Sequence, residues 1–251
     1  MSRKSRRAWG IGFGIFLLAL WEGLALLIGK KYILPGPWDV LCALWEFRVE
    51  IFTVHLPATL EVILIGGVLS VLIGALFAVF MDVDPRVERA LYPILTVSQT
   101  IPTMCLAPIF VLWLGYSVRM RILVVILINF FTVTVNLYDG LQSTRADRTE
   151  LLATFGASRT QQFWKLRLPS AMPYFFSALK VTVPWAVIGA AVSEWLGAPS
   201  GLGTFSRARM MDLDAAGLLA PLLVLTVLAL LLNGVLGLAE KKCLHWRRDP
   251  A

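Results

Sequence analysis

The side chains that could carry chemistry in this sequence are few and scattered. Cys42, Cys105 and Cys243 fall in three different segments without a C-x-x-C pair, and His55 and His245 stand alone. A disulfide framework or a metal site needs such residues at close and regular spacing, and a catalytic centre needs several groups that converge in one place. The sequence therefore predicts no catalytic residue and no metal site.

A second set of candidates consists of polar side chains inside long apolar stretches. Gln99, Thr100 and Thr103 lie in an apolar stretch that Pro93, Pro102 and Pro108 are expected to break. Each proline frees a backbone carbonyl, which a bilayer tolerates only where the helix faces protein or water. The three side chains are candidates for lining a substrate path, and the alternative is that they do no more than satisfy the freed carbonyls.

Two asparagines and a glutamate extend this set. Asn129 and Asn136 are seven residues apart and share one helix face. We expect them first to hydrogen-bond across helices, as buried amides in membranes do, and second to line the path. Glu194 lies at the end of the apolar stretch at about 171–195 and is a further path candidate. Lys180 lies inside the same stretch, so its side chain must reach the membrane surface or face the interior of the helix bundle.

The elements that carry these side chains belong to a membrane protein. The chain has 251 residues, of which 58% are hydrophobic, and its mean hydropathy is +0.75, whereas soluble domains are about 45–50% apolar. Long apolar runs predict an all-α integral membrane fold in a single domain, 1–251. Gly66, Gly67 and Gly74 permit close helix packing. Six transmembrane helices are expected, at about 8–28, 58–81, 90–114, 122–138, 171–195 and 217–238.

The connecting segments indicate the topology. Fifteen of the 23 lysines and arginines fall in predicted inner segments and seven in outer ones, and this bias places both chain ends in the cytoplasm. The net charge is +7, and the basic residues cluster between the spans. Their positions therefore reflect orientation in the membrane and not a nucleic-acid-binding surface. Residues 82–89 are a short inner loop and 197–203 an outer glycine-rich turn. On the outer side, Asp39 begins an amphipathic helix to about Phe52 that is expected to lie at the membrane surface.

The longest polar interruption, at 139–170, predicts two short helices on the cytoplasmic side. Asp147 can cap the first of them, and Ser158, with a glutamine three residues later, has capping-box spacing for the second. Gly156 lies between them, where a helix end favours a residue that tolerates positive φ. Pro169 is expected to stop the second helix. A small helical pair at the inner face of a membrane bundle is suited to docking a partner.

This loop resembles the cytoplasmic signature loop of binding-protein-dependent ABC importer permeases. The family pattern is E-A-A, three residues, G, nine residues and I-x-L-P; the positions at this spacing are Glu150, Gly156, Leu166, Leu168 and Pro169. Leu151 and Leu152 replace the two alanines, and Leu166 replaces the isoleucine. The resemblance implies that the loop inserts into a separate ATP-hydrolysing subunit. Glu150 is then expected to hold the loop by its cap and nearby basic groups, while Gly156 and Ala157 are small enough for the partner to approach beside Ser158.

The resemblance extends over about residues 30–240. The segments LPGPWDV, SQTIPTMCLAPIFVLWLGY, NLYDGLQS and SEWLGAPSGLG look like those of permeases for taurine, aliphatic sulfonates, nitrate and thiamine-precursor pyrimidines. The combination of VSEWLGAPSGLG with MPYFFSALK resembles the pyrimidine branch more than the sulfonate branch. It implies a type I importer permease in the bacterial cytoplasmic (inner) membrane, in contact with lipid. Its implied partners are a second copy of itself, two ATP-binding subunits and an extracytoplasmic substrate-binding protein.

The function that this resemblance implies is inward movement of a small polar organic solute by alternating access. No G-x-x-x-x-G-K-[ST] motif occurs in the chain, so no cofactor is expected on it, and ATP and Mg²⁺ belong on the partner subunit. A thiamine-precursor pyrimidine or related heterocycle is the expected substrate, and taurine, a sulfonate or nitrate is the alternative. An ion-coupled secondary transporter is an alternative of another class, but it would need intramembrane ionisable groups, and only Lys180 lies well inside a span.

Overall fold

The computed structural model describes residues 3–98, 100–144 and 146–245, and the regular secondary structure in these ranges is helical. We number the helices in chain order: α1 (Arg3–Ile28), α2 (Pro37–Glu46), α3 (Arg48–Val83), α4 (Pro85–Ser98), α5 (Thr103–Leu114), α6 (Val118–Gln142), α7 (Ala146–Thr154), α8 (Arg159–Trp195), α9 (Leu202–Met211) and α10 (Ala215–Cys243). Four of them, α3, α6, α8 and α10, are long and apolar enough to cross a membrane. The prediction of an all-α membrane protein is confirmed.

The other two predicted spans differ from these four. The first corresponds to α1, whose described apolar part is the shorter stretch Gly12–Ile28. The third is divided between α4 and α5, and Pro102, with φ −60° and ψ 112°, stands at the break. Pro93 and Pro108 lie inside helices and do not break them. The predicted inner loop is a single residue, Asp84, whose carboxylate accepts a hydrogen bond from the Arg86 backbone N–H at 2.8 Å and so begins α4 at once.

The amphipathic helix predicted for Asp39–Phe52 is wrong in its second half. The helix α2 ends at Glu46, and Arg48 already begins α3. A π-helical turn at Ile51–His55 lies within α3, so the backbone continues into the span without a break. Trp38 and Trp45 on α2 are exposed, whereas Val40 and Ala43 are buried, which is the amphipathic pattern expected of a surface helix.

The helix α8 runs continuously from Arg159 to Trp195, so the predicted second short helix of the polar loop is its first part. Pro169 does not stop it. A π-helical turn at Phe163–Arg167 directs the N–H of Leu168 to the carbonyl of Phe163, five residues back. Because Pro169 follows this wider turn, the carbonyl with which its ring would clash in an α-helix is displaced.

The chain packs as two compact units, Met1–Thr59 with Pro199–Thr226, and Leu60–Ala198 with Val227–Ala251. The core of the first unit is Phe205 of α9, whose ring lies 5.5 Å from that of Phe47 and 5.2 Å from that of His55. The helix α9 follows the predicted glycine-rich turn and was not itself predicted. The side chain of His55 anchors its start, because His55 Nδ1 accepts a hydrogen bond from the Gly201 N–H at 3.1 Å.

In the second unit, α6 packs between α3 and α8. A Cβ atom on Gly66 would lie 2.8 Å from Val125 Cβ, and one on Gly74 would lie 2.8 Å from Val133 Cβ, so both glycines permit close approach as predicted. Gly67 has nothing within 4 Å of that position and does not serve this purpose. Lys180 of α8 forms an ion pair with Glu240 of α10, which satisfies its charge within the bundle.

Candidate functional site

The candidate docking segment consists of α7, the turn at 155–158 and the first turns of α8. At the end of α7, the Gly156 N–H donates to the Ala153 carbonyl at 2.9 Å and the Ala157 N–H to the Leu152 carbonyl at 3.0 Å. These two bonds form a Schellman motif. Gly156 has φ +77°, as predicted, and a Cβ atom there would meet nothing within 4 Å. Within this chain, glycine at this position therefore favours the backbone angle, and no packed neighbour demands its small size.

The start of α8 is capped as the sequence predicted. Ser158 Oγ accepts a hydrogen bond from the Gln161 N–H at 3.3 Å, and Gln161 Oε1 accepts one from the Ser158 N–H at 2.9 Å. The expected cap on the preceding helix is wrong, because α7 begins at Ala146 and Asp147 lies inside it. The turn between the helices is thus held by two local motifs, and its geometry does not depend on distant contacts.

The docking segment exposes large apolar side chains. Leu151 is 57% exposed, Phe155 79% and Trp164 63%. Leu151, a departure from the family pattern, therefore adds to this apolar surface. Glu150 is exposed and makes no hydrogen bond or ion pair with another described residue, so the structure gives no support to a role in holding the loop. The other residues matched to the loop pattern, Leu166, Leu168 and Pro169, are half-buried.

A charged network that the sequence did not reveal ties this segment to two other helices. Asp82, at the end of α3, has a side chain only 1% exposed and forms an ion pair with Arg167 of α8. Gln142 at the end of α6 donates a second hydrogen bond to the same carboxylate oxygen at 3.2 Å. Asp82 and Arg167 are 85 residues apart, so no local pattern could have paired them.

The predicted path residues that the structure describes lie at the α4–α5 break, on α6 and at the end of α8. The hydroxyl of Thr100 donates to the Val97 carbonyl at 2.7 Å, at the end of α4. Asn129 and Asn136 donate to carbonyls of their own helix, of Val125 at 3.0 Å and Thr132 at 2.8 Å, and not across helices. Glu194 is fully buried. Gln99 and the side chain of Thr103 lie outside the described residues.

Two cavities of the second unit lie near these residues. A cavity of about 310 Å³, mostly apolar, is lined by Asn129 together with Ser70 and Thr182. A more polar one of about 300 Å³, which we call the α4–α5 cleft, opens beside the break between α4 and α5. Its described lining consists of Ser98, Ile101, Leu127, Ile128, Phe131, Thr132 and Trp185.

Known proteins share this arrangement of helices. Residues 70–244 match the family described as binding-protein-dependent transport system inner membrane component. The chain belongs to this family. It is therefore a multi-pass inner-membrane permease subunit of an ABC importer, and such subunits are transport components and not enzymes. Family membership also removes the ion-coupled secondary transporter from consideration.

Individual relatives cover nearly the whole chain. It is 46% identical, over 94% of both chains, to the formylaminopyrimidine transport permease protein ThiX of Halalkalibacterium halodurans. Identity to the taurine transport system permease protein TauC of Escherichia coli is 29%, over 95% of this chain and 90% of that one. Identity to the putative aliphatic sulfonates transport permease protein SsuC of Bacillus subtilis is 25%, over 98% of this chain and 91% of that one.

Among solved structures, a chain of the MetNI methionine ABC transporter in an inward-facing conformation superimposes with a TM-score of 0.65 at 18% identity. The match covers 82% of this chain and 97% of that one. The fold is therefore that of a type I ABC importer permease.

Proposed function

We propose that the importer containing this chain carries a pyrimidine precursor of thiamine, or a related heterocycle, into the cell. The observation that carries the proposal is the 46% identity over 94% of both chains to a formylaminopyrimidine permease. Identity to the taurine and sulfonate permeases is 29% and 25%, which leaves these substrates as the alternative.

The proposed assembly contains two copies of this chain, two ATP-binding subunits and an extracytoplasmic binding protein. ATP and Mg²⁺ bind to the partner subunits, this chain binds no cofactor and no nucleic acid, and lipid surrounds it. The chain forms one permease domain of six spans, in which α1 and the α4–α5 pair complete the four long helices. Both termini lie in the cytoplasm, as the distribution of lysine and arginine favours.

In this assembly the docking segment is the coupling helix that the ATP-binding subunit holds. Its exposed Leu151 and Phe155 are suited to an apolar groove, since buried apolar anchors dominate interface energies. Gly156, Ala157 and Ser158 set the angle between α7 and α8, and Glu150 faces the partner. Movement of the ATP-binding subunits then shifts α6 and α8, which continue directly from this segment, as rigid elements.

The substrate path proposed for the permease retains the residues that the sequence indicated. They are Gln99, Thr100 and Thr103 at the α4–α5 break, Asn129 and Asn136 on α6, and Glu194 at the end of α8. Asn129 supports this assignment best, since it is 1% exposed and lines a cavity. For transport to be driven, substrate and ATP must each favour particular states of this path.

A pull-down with the ATP-binding subunit tests the coupling role. We expect wild type to retain the subunit in detergent and Gly156→Asp to lose it, because the variant places a charged side chain on the docking surface. Gly156→Asn is the matched control, since asparagine tolerates positive φ without adding charge. Equal retention by the Asp variant would remove the docking role from this turn.

Uptake into proteoliposomes tests the substrate. The complete importer with its binding protein and internal ATP should accumulate labelled formylaminopyrimidine, and unlabelled taurine or nitrate in excess should not compete. Uptake of taurine or nitrate without uptake of the pyrimidine would replace the proposed substrate by the alternative.

A further inference from the structure

The α4–α5 cleft brings an indole and two hydroxyl groups together beside a broken helix. Trp185 of α8 is 52% exposed, and its indole N–H makes no hydrogen bond to another described residue. The Thr132 hydroxyl is equally unpartnered within the described chain, and the Ser98 hydroxyl donates to the Leu95 carbonyl at 2.8 Å, which leaves its oxygen available as an acceptor. Phe131 is 7% exposed and contributes a second aromatic side chain to the wall.

The position of the cleft decides what it can face. Residues 100–102, before α5, are not helical, and within hydrocarbon such backbone occurs only where it is buried in protein or lines a water-filled space. The cleft also contains hydroxyl groups that lipid tails cannot satisfy. It therefore faces the aqueous interior of the transporter or a protein surface, and not lipid.

The chemistry of the lining selects a class of ligand. Among its described residues none carries a charge, so a sulfonate or nitrate would lack the cationic or multiple N–H partners that anions require. An aromatic face next to hydroxyl groups instead suits a flat, neutral ring with amino and ring-nitrogen groups. At about 300 Å³ the cleft lies at the small end of ligand pockets, which span about 300–1,000 Å³.

We propose that the α4–α5 cleft is a ligand site of the permease itself for a neutral aminopyrimidine. The ring stacks on Trp185, and its polar groups bond to the hydroxyl groups of Ser98 and Thr132. This inference rests on the proposed function and adds to it that the permease, and not the binding protein alone, recognises the ring.

Equilibrium dialysis of the detergent-solubilised permease with its ATP-binding subunits, in the absence of the binding protein, tests the site. Wild type should bind labelled formylaminopyrimidine saturably. Trp185→Ala should weaken binding roughly 5- to 100-fold, the range that stacking of a nucleic-acid base on an aromatic side chain supports. Trp185→Phe should restore most of the affinity, because it keeps an aromatic face.

Trp113→Ala is the matched control. Trp113 is 74% exposed on α5 and does not line the cleft, so its loss should change affinity less than about twofold, the ordinary scatter of a surface substitution. Thr132→Val should weaken binding about three- to tenfold, as expected when one hydrogen bond is lost. Equal weakening in the Trp113 and Trp185 variants would overturn the proposal.

Three further outcomes distinguish failure of this inference from failure of the proposed function. If the complete importer takes up the pyrimidine and the permease complex does not bind it, the cleft is not a ligand site and the proposed function stands. If Trp185→Ala splits a dimer of the permease, as light scattering would show, the cleft belongs to the contact with the second copy and the inference is wrong. If the importer transports only anions, the proposed function fails and this inference fails with it.

Discussion

At the scale of single residues, His55 shows how one side chain organises a turn. Its Nδ1 atom accepts the Gly201 N–H at 3.1 Å, so the proton of the neutral ring lies on Nε2, which is 3.4 Å from Glu50 Oε1. Thr59 lies one turn further along α3, and its Oγ1 accepts the Leu202 N–H at 2.8 Å. Two side chains of α3 thus satisfy the first N–H groups of α9, which a helix cannot satisfy internally.

We expect His55→Ala to lower the thermal unfolding midpoint of the detergent-solubilised chain. The substitution leaves the Gly201 N–H buried without its acceptor, which costs about 1–3 kcal/mol, and removes the ring that contacts Phe205. Thr53→Ala is a suitable control, because the Thr53 hydroxyl is exposed and bonds only to the Val49 carbonyl of its own helix. Equal midpoints for the two variants would contradict this role of His55.

The stability of the start of α2 is expected to depend on pH through Asp39. The hydrogen bond from Lys31 at 2.6 Å lowers the pKa of Asp39 below its ordinary 3.8, and the Gly36 N–H acts in the same direction. Because the folded-state pKa is lowered, the stabilisation is present above pH 3.8 and is lost as the pH falls through the folded-state pKa. The Asp39 carboxyl ¹³C shift should titrate below 3.8, and Lys31→Met should move its midpoint upward. An unchanged midpoint would show that the pair is not formed in solution.

At the scale of elements, the network around Asp82 joins the ends of α3, α6 and α8. The acceptor is nearly fully buried, and its partners come from the two helices that flank the docking segment. Any displacement of α8 that separates Arg167 from Asp82 would leave a buried carboxylate without its counter-charge. The three helix ends are therefore expected to move together when the docking segment is pulled.

Arg167→Met should destabilise the chain by about 3 kcal/mol, the low end of the cost of breaking a buried ion pair, since Arg167 is itself 25% exposed. Asp82→Asn should destabilise the chain less than Arg167→Met does, because it removes the buried charge and keeps the shape of the side chain. The double variant should be more stable than Arg167→Met alone. Unfolding in denaturant measures all three variants. Arg159→Met is the control, because Arg159 is exposed and lines one pocket together with Asp82 and Arg167. Additive effects in the double variant would show that the two residues are not coupled.

At the scale of the whole molecule, the orientation in the membrane can be tested with the native cysteines. Cys42 on α2 and Cys243 at the end of α10 are both exposed, and the proposed topology places them on opposite sides of the membrane. Each can be studied alone after the other cysteines are replaced by serine.

A membrane-impermeant maleimide added to intact cells with a permeabilised outer envelope should label the Cys42 variant and not the Cys243 variant. Lysis of the inner membrane should then expose Cys243. Labelling of Cys243 from outside would reverse the topology, and labelling of both from one side would require a different number of spans.

Many features of this protein depend on residues that are close together in the sequence, and these features could be predicted from the sequence. The long apolar runs determine the membrane class, because the length of an apolar helix decides whether it can span a bilayer. The turn at Gly156 and the cap at Ser158 were predicted correctly, since both motifs involve residues only a few positions apart. The family to which the sequence pointed, that of importer permeases, was confirmed by the family match.

What only the tertiary structure decided depends on contacts between distant residues. Proline signals predicted a helix end at Pro169 and breaks at Pro93 and Pro108, but the helices continue through all three positions, and a π-helical turn precedes Pro169. The pairing of Asp82 with Arg167 and the anchoring of α9 by His55 join positions 85 and 146 residues apart. Local propensity contains no information about such partners, because a residue far along the chain is brought near only when the helices pack.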